Sequence, residues 1–86
     1  MTSRGPAPEQ EVLQSLLKSL RQKAGMRQVD VAVALRIPQS MVSKYEVGER
    51  RLDILELRVI CKLFGIDLSD FVSQLEARLE ATRETD

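Results

Sequence analysis

The sequence contains no histidine and no tryptophan, and only one cysteine, one tyrosine and two phenylalanines. Without histidine, the Ser–His–Asp and zinc-hydrolase constellations lack a central part. A single cysteine forms neither an internal disulfide nor a thiolate metal cluster. No metal site and no cofactor are therefore expected. Long apolar runs are also missing: the longest is Val31 to Leu35, far below the about 18–20 residues of a membrane span. No membrane partner is expected. The first dozen residues hold no apolar stretch, so no secretory signal is expected and the chain should reside in the cytoplasm.

What is present suits one small domain. The chain has 86 residues and is 43% hydrophobic, enough for a core and too much for a disordered polymer. A domain of this size buries only about 60–65% of its unfolded surface, which favours a helical unit over an enzyme with a deep pocket. Thirteen basic and thirteen acidic residues cancel, but they are unevenly spread. Residues 1–17 sum to −1, residues 18–51 carry eight bases against three acids for +5, and residues 52–86 sum to −4. A basic middle and an acidic end suggest one face for a polyanion and another that avoids it. Short segments also fluctuate by a few charges, so position has to decide.

Apolar periodicity predicts five helices and no strand. Residues 1–8 read as a flexible leader, with Thr, Ser, Gly and two prolines. Pro8, Glu9 and Glu11 signal a helix start. Val12, Leu13, Leu16, Leu17, Leu20 and Ala24 then recur at helical spacing, and Gly25 stops a helix expected over Glu9 to Lys23. A short helix over Gln28 to Leu35 turns Val31, Ala32 and Leu35 inward, and Pro38 interrupts it. A third spans Gln39 to Val47, with Val42 and Tyr45 inward and Gly48 at its end. Asp53 and Glu56 form a capping pattern for a fourth over Ile54 to Phe64, and Gly65 closes it. A fifth is expected over Leu68 to Ala81, with 82–86 as a flexible tail. The domain proper is thus 9–81, all-α.

The second and third helices have about eight residues each, too short to persist alone, and as a pair joined by a tight turn they have helix-turn-helix dimensions. Gln39, Ser40, Ser43 and Lys44 share the face of the third helix opposite Val42 and Tyr45. Gln pairs with adenine N6 and N7, Lys donates to guanine O6 and N7, and Ser bonds either class of base. An ordinary solvated face has the same polarity, so this helix alone leaves both readings open.

The stretch from Leu16 to Phe64 resembles the Cro/C1-type (XRE family) helix-turn-helix domain of phage and bacterial repressors. The matching residues are Leu17, Leu20, Arg21 and Gly25; Gln28 and Ala32; the run Q-S-x-V-S-K-Y-E-x-G from Gln39 to Gly48; and Glu56, Leu57 and Ile60. The resemblance implies a five-helix, lambda-repressor-like fold. It implies base reading by Gln39, Ser40 and Lys44, with Ser43 beside them. It places Gln28 on a phosphate at a helix N-terminus and Arg50 and Arg51 along the sugar-phosphate backbone. It also implies an ion pair between Arg21 and Glu46. Three positions depart from the family pattern. Arg36 stands at the turn glycine, where a left-handed backbone would cost ~1–2 kcal/mol. Arg27 stands at the Thr cap before the second helix, where Asp30 can reach back to the open amide and where the cation can face phosphate. Pro38 replaces a hydroxyl cap.

The remaining residues have ordinary roles: Cys61 fills the core, Tyr45 packs rather than stacks on bases, and Asp67 and Asp70 open the fifth helix. The expected function is sequence-specific binding of double-stranded DNA by a transcriptional regulator, a repressor acting as a homodimer on two half-sites. An antitoxin or a restriction-modification controller would carry the same fold, with a toxin or an anti-repressor as a further partner. A protein-interaction module that does not read DNA is the reading from a different class. On the fifth helix Leu68, Phe71, Val72, Leu75 and Leu79 fall within about 100° of one another. Leu79 would lie about 12 Å beyond Phe71, so Val72, Leu75 and Leu79 are the expected dimer contact.

Overall fold

Proline lacks an amide hydrogen, which costs nothing in the first turn of a helix, and Pro8 opens the first helix here. The computed structural model describes residues 8–84, with side chains for 9–81. The helices are α1 (Pro8–Lys23), α2 (Gln28–Leu35), α3 (Gln39–Val47), α4 (Ile54–Leu63) and α5 (Leu68–Glu84), with no strand among the described residues. The expected leader lies outside the described residues except for Pro8, which belongs to α1. The expected tail is corrected over 82–84, because α5 continues to Glu84, and 85–86 lie outside the described residues. No glycine or proline stands after Ala81, and Arg83 and Glu84 are good helix formers. No helix among the described residues is long and apolar enough to cross a membrane.

Each helix contributes to one core. Leu16, Leu17 and Leu20 come from α1, Val31 and Ala32 from α2, Val42 and Tyr45 from α3, Ile60 and Cys61 from α4, and Phe71 from α5. The short pair α2 and α3 pack on each other, α3 and α5 lie against α1, and α4 lies against α5. Neither α2 nor α3 could persist alone at this length. Their orientation is therefore set by what they bury. Ala24 departs from the expected apolar stripe of α1: it is exposed, because the helix ends at Lys23 and Ala24 sits in the turn. Burial pushes the Cys61 thiol above its ordinary value, as suits a core filler.

Four helices end in the same way. The N–H groups of Met26, Ile37, Glu49 and Ile66 reach back to the carbonyls of Arg21, Ala32, Lys44 and Cys61, at 2.8–3.1 Å. Each such reversal needs one left-handed residue. Gly25, Gly48 and Gly65 supply it with φ of 73°, 86° and 81°, while α2 uses Arg36 at φ 59°. A Cβ in this region is crowded by the following carbonyl, at a cost of about 1–2 kcal/mol. Pro38 requires an extended conformation of Ile37 immediately afterwards, so the chain has no other place to reverse. Arg36→Gly is expected to raise stability by about 0.5–1 kcal/mol, the left-handed penalty less the extra unfolded-state freedom of glycine. Arg36→Ala should not, because it keeps the Cβ. Urea denaturation midpoints of the three proteins check this.

Candidate nucleic-acid interface

One side of α3 is anchored in the core and the other is free. Val42, Tyr45 and Glu46 are buried, whereas Gln39, Ser40 and Lys44 are exposed and Ser43 is half-buried. All four polar side chains suggested by the sequence therefore share the outward side. Gln39 and Ser40 stand in the first turn, where the unpaired amides and the positive helix end favour approach to an anion. Pro38 precedes them in an extended conformation and gives no side-chain cap.

The anchor is an ion pair. Arg21 Nε donates to Glu46 Oε2 at 2.6 Å and Nη2 donates to Oε1 at 3.1 Å, and both residues are only 8% exposed. Arg21 Nη1 also donates to the Met26 carbonyl at 2.9 Å, which closes the turn between α1 and α2. Gln28 Nε2 donates to the same Glu46 carboxylate at 2.9 Å. One carboxylate thus joins α1, the first residue of α2 and the end of α3. Hydrogen bonding to Glu46 raises the Arg21 guanidinium further above its ordinary value. Beside it, the Tyr45 hydroxyl is buried with no partner among the described residues. Burial, and then the Glu46 charge, push it up to about 12.

Arg27 and Arg50 also hold carboxylates. Arg27, just before α2, donates from its backbone N to Asp30 Oδ2 at 2.7 Å and from Nη2 to Oδ1 at 2.9 Å. Asp30 therefore caps α2 in place of a hydroxyl, and the Arg27 side chain and backbone bonds hold its carboxyl at about 2 against an ordinary 3.8. Arg50 Nη2 donates to Glu56 Oε2 at 2.8 Å. Glu56 also accepts from the Asp53 backbone N at 3.0 Å, and Asp53 accepts in return from the Glu56 N at 2.8 Å. The Arg50 guanidinium thus braces the loop to α4, whereas Arg51 is exposed.

Known proteins share this fold. A family model described as helix-turn-helix matches residues 17–71. A solved XRE-family-like protein from Pseudomonas syringae is 41% identical, with a TM-score of 0.75 over 81% of this chain and 85% of that one. The chain belongs to the XRE-type helix-turn-helix family. The family is one of DNA-binding transcription regulators, and this chain is one of them. The clp gene regulator ClgR from Corynebacterium glutamicum has the same fold at 23% identity, with a TM-score of 0.75 over 94% of this chain and 88% of that one. No curated protein matches.

Several contacts of this helix-turn-helix protein were not legible in its sequence. The Gln28 carboxamide, expected on phosphate, gives one N–H to Glu46 and keeps its second N–H and its carbonyl for another partner. Arg50, expected on the DNA backbone, is held by Glu56 six residues later. The spacing of Arg50, Asp53 and Glu56 contained the signal, since Glu56 was already placed at the cap. The α5 residues also differ from expectation. Leu75, expected at a dimer contact, packs on the core of its own chain, and Leu79 is half-buried. The physical reason is that α5 lies against both α1 and α4, which cover much of its apolar stripe. Val72 remains 39% exposed.

Breaking the buried pair strands a charge. Glu46→Ala is expected to cost about 3–5 kcal/mol in urea denaturation. Combining Arg21→Met with Glu46→Leu should recover most of that loss, because no charge is then left buried. The Asp30 cap predicts a pH effect. Its folded value lies below 3.8, so its contribution is present above about pH 4 and is lost as the pH falls toward 2. Carbon NMR should show the Asp30 carboxyl titrating near 2 in the wild type. In Arg27→Ala the midpoint should move only part of the way back, since the backbone bond stays.

Proposed function

We propose that the chain is a transcriptional repressor that reads an operator of two half-sites as a homodimer. The carrying observation is the two-sidedness of α3: Val42, Tyr45 and Glu46 lock it to the body, while Gln39, Ser40 and Lys44 stand free on the outer side. A helix in the major groove needs this combination, because base readout depends on side chains held at fixed depth and angle. In this reading Gln39, Ser40, Ser43 and Lys44 touch base edges. Gln28 uses its second N–H on a phosphate while Glu46 holds the first, and Arg51 lies along the backbone. Arg27 faces phosphate only through whatever its exposed guanidinium can offer beyond Asp30. Repression is favoured because it needs only occupancy of the site, whereas activation needs a further contact to the transcription machinery.

Selection from random duplexes at a stated salt concentration tests the reading. The expected product is a pseudo-palindrome with half-sites about 34–36 Å apart. On the selected duplex Gln39→Ala and Lys44→Ala should each cost about 1–3 kcal/mol and relax one position, with little change on random DNA. Arg51→Ala should weaken all duplexes alike and reduce the log–log salt slope by about one. Equal losses on selected and random duplexes for Gln39→Ala and Lys44→Ala would remove them from base readout. Recovery of no preferred sequence would overturn the proposal.

A further inference from the structure

Behind the reading helix lies an apolar hollow of about 190 Å³. Its walls are Leu35, Ile37, Met41, Leu52, Val59 and Ile60, drawn from α2, α3, α4 and the segments between them. Tyr45 lines it as well. Met41 and Tyr45 lie about 150° around α3 from the centre of the Gln39–Lys44 face. Tyr45 is 3% exposed, and its hydroxyl is the one buried side-chain polar atom without a hydrogen-bond partner among the described residues. Native proteins rarely leave such a group unpaired. Pushed up to about 12, it stays a proton donor at neutral pH. A helical side chain leans over the turn before it, which carries the Tyr45 ring toward Met41.

We propose that this hollow binds a small neutral molecule, one ring in size, whose single oxygen accepts a hydrogen bond from the Tyr45 hydroxyl. The size follows from the volume. Cavities of about 150 Å³ with apolar walls take up benzene, so this one holds a ring with about one or two further heavy atoms. Neutrality follows from the lining, where Arg50 and Glu56 are paired with each other at 2.8 Å. Neither a carboxylate nor an ammonium finds an unpaired charge there. The Tyr45 hydroxyl is closed off from water, so the oxygen reaches it by shifting Met41, an unbranched side chain that repacks readily. Met41 and Tyr45 both belong to α3, and an occupant therefore bears on the reading helix from behind. In the operator reading, on which this part rests, the occupant is an effector that changes affinity for DNA. DNA then changes the affinity for the occupant by the same factor.

Methyl NMR titration of the full chain with benzyl alcohol tests the site. Saturable shifts are expected at Leu35, Met41, Leu52 and Val59, with a dissociation constant of about 1 mM for a ligand of about eight heavy atoms. Toluene, which lacks the oxygen, should bind about fivefold more weakly. In Tyr45→Phe the two should bind alike, and this variant should fold at least as stably, because no orphan hydroxyl is left. Val33→Ala, outside the lining, should leave binding unchanged. Shifts that fail to saturate, or that fall equally on the exposed Val33 and Val47, overturn the proposal. Benzoate binding more tightly than benzyl alcohol also overturns it. So does a preference for benzyl alcohol over toluene that survives Tyr45→Phe. For the effector part, saturating benzyl alcohol should change affinity for the selected duplex at least about fivefold, and unchanged affinity overturns that part. A chain with no preferred sequence defeats the operator reading, while the titration still decides the site.

Discussion

The buried contact between Arg21 and Glu46 sets the position of nearly everything that matters here. Two charges removed from water are tolerated only if their hydrogen-bonding groups find partners. The structure meets that demand by drawing in Gln28 and the Met26 carbonyl. The partners come from three different places in the chain. Satisfying one carboxylate therefore fixes the end of α3 against α1 and against the start of α2. Apolar packing through Val31, Val42 and Tyr45 brings the short helices together, but it is non-directional. The ion pair supplies direction, and with it the angle at which Gln39, Ser40 and Lys44 are presented.

The same economy of charge shapes the rest of the surface. Arg27 and Arg50 belong to the basic middle of the chain, yet each holds a neighbouring carboxylate that caps a helix. Their positive charge still adds to the local field, but their geometry is committed to α2 and α4. Lys44 and Arg51 stay exposed, and in the proposed function they are the cations that meet a polyanion. At exposed positions these bridges are weak and salt-sensitive. They organise helix starts more than they stabilise the fold.

Apolar surface is distributed by a related constraint. A single layer of helices around so few core residues cannot cover every apolar side chain. α5 lies along α1 and α4 and hides Phe71 and Leu75. Among the described residues nothing comparable covers α4 at its N-terminal end, where Ile54 and Leu55 are exposed. The loop braced by Arg50 and Glu56 meets this uncovered face, where Leu52 lines a hollow with Val59 and Ile60.

Local rules written in the sequence were enough for the elements of this protein. Glycine at 25, 48 and 65, the Asp53–Glu56 cap and the 3.6-residue apolar period determined where helices start and stop, because each acts within a few residues. The end of α5 was the exception, since no residue after Ala81 forces a stop. The strained backbone of Arg36 was expected only through the family resemblance, which puts a glycine at that turn, and the structure shows φ 59° there. The outward side of α3 was also legible, once Val42 and Tyr45 were assigned inward. Partner choice among charges was not. Gln28 reaching Glu46 across 18 residues, and Arg50 turning to Glu56 instead of outward, depend on how the helices stand in space. Nor did the apolar stripe of α5 reveal which neighbour would cover it. A helical wheel shows which side chains share a face, whereas only tertiary packing decides whether that face is already filled.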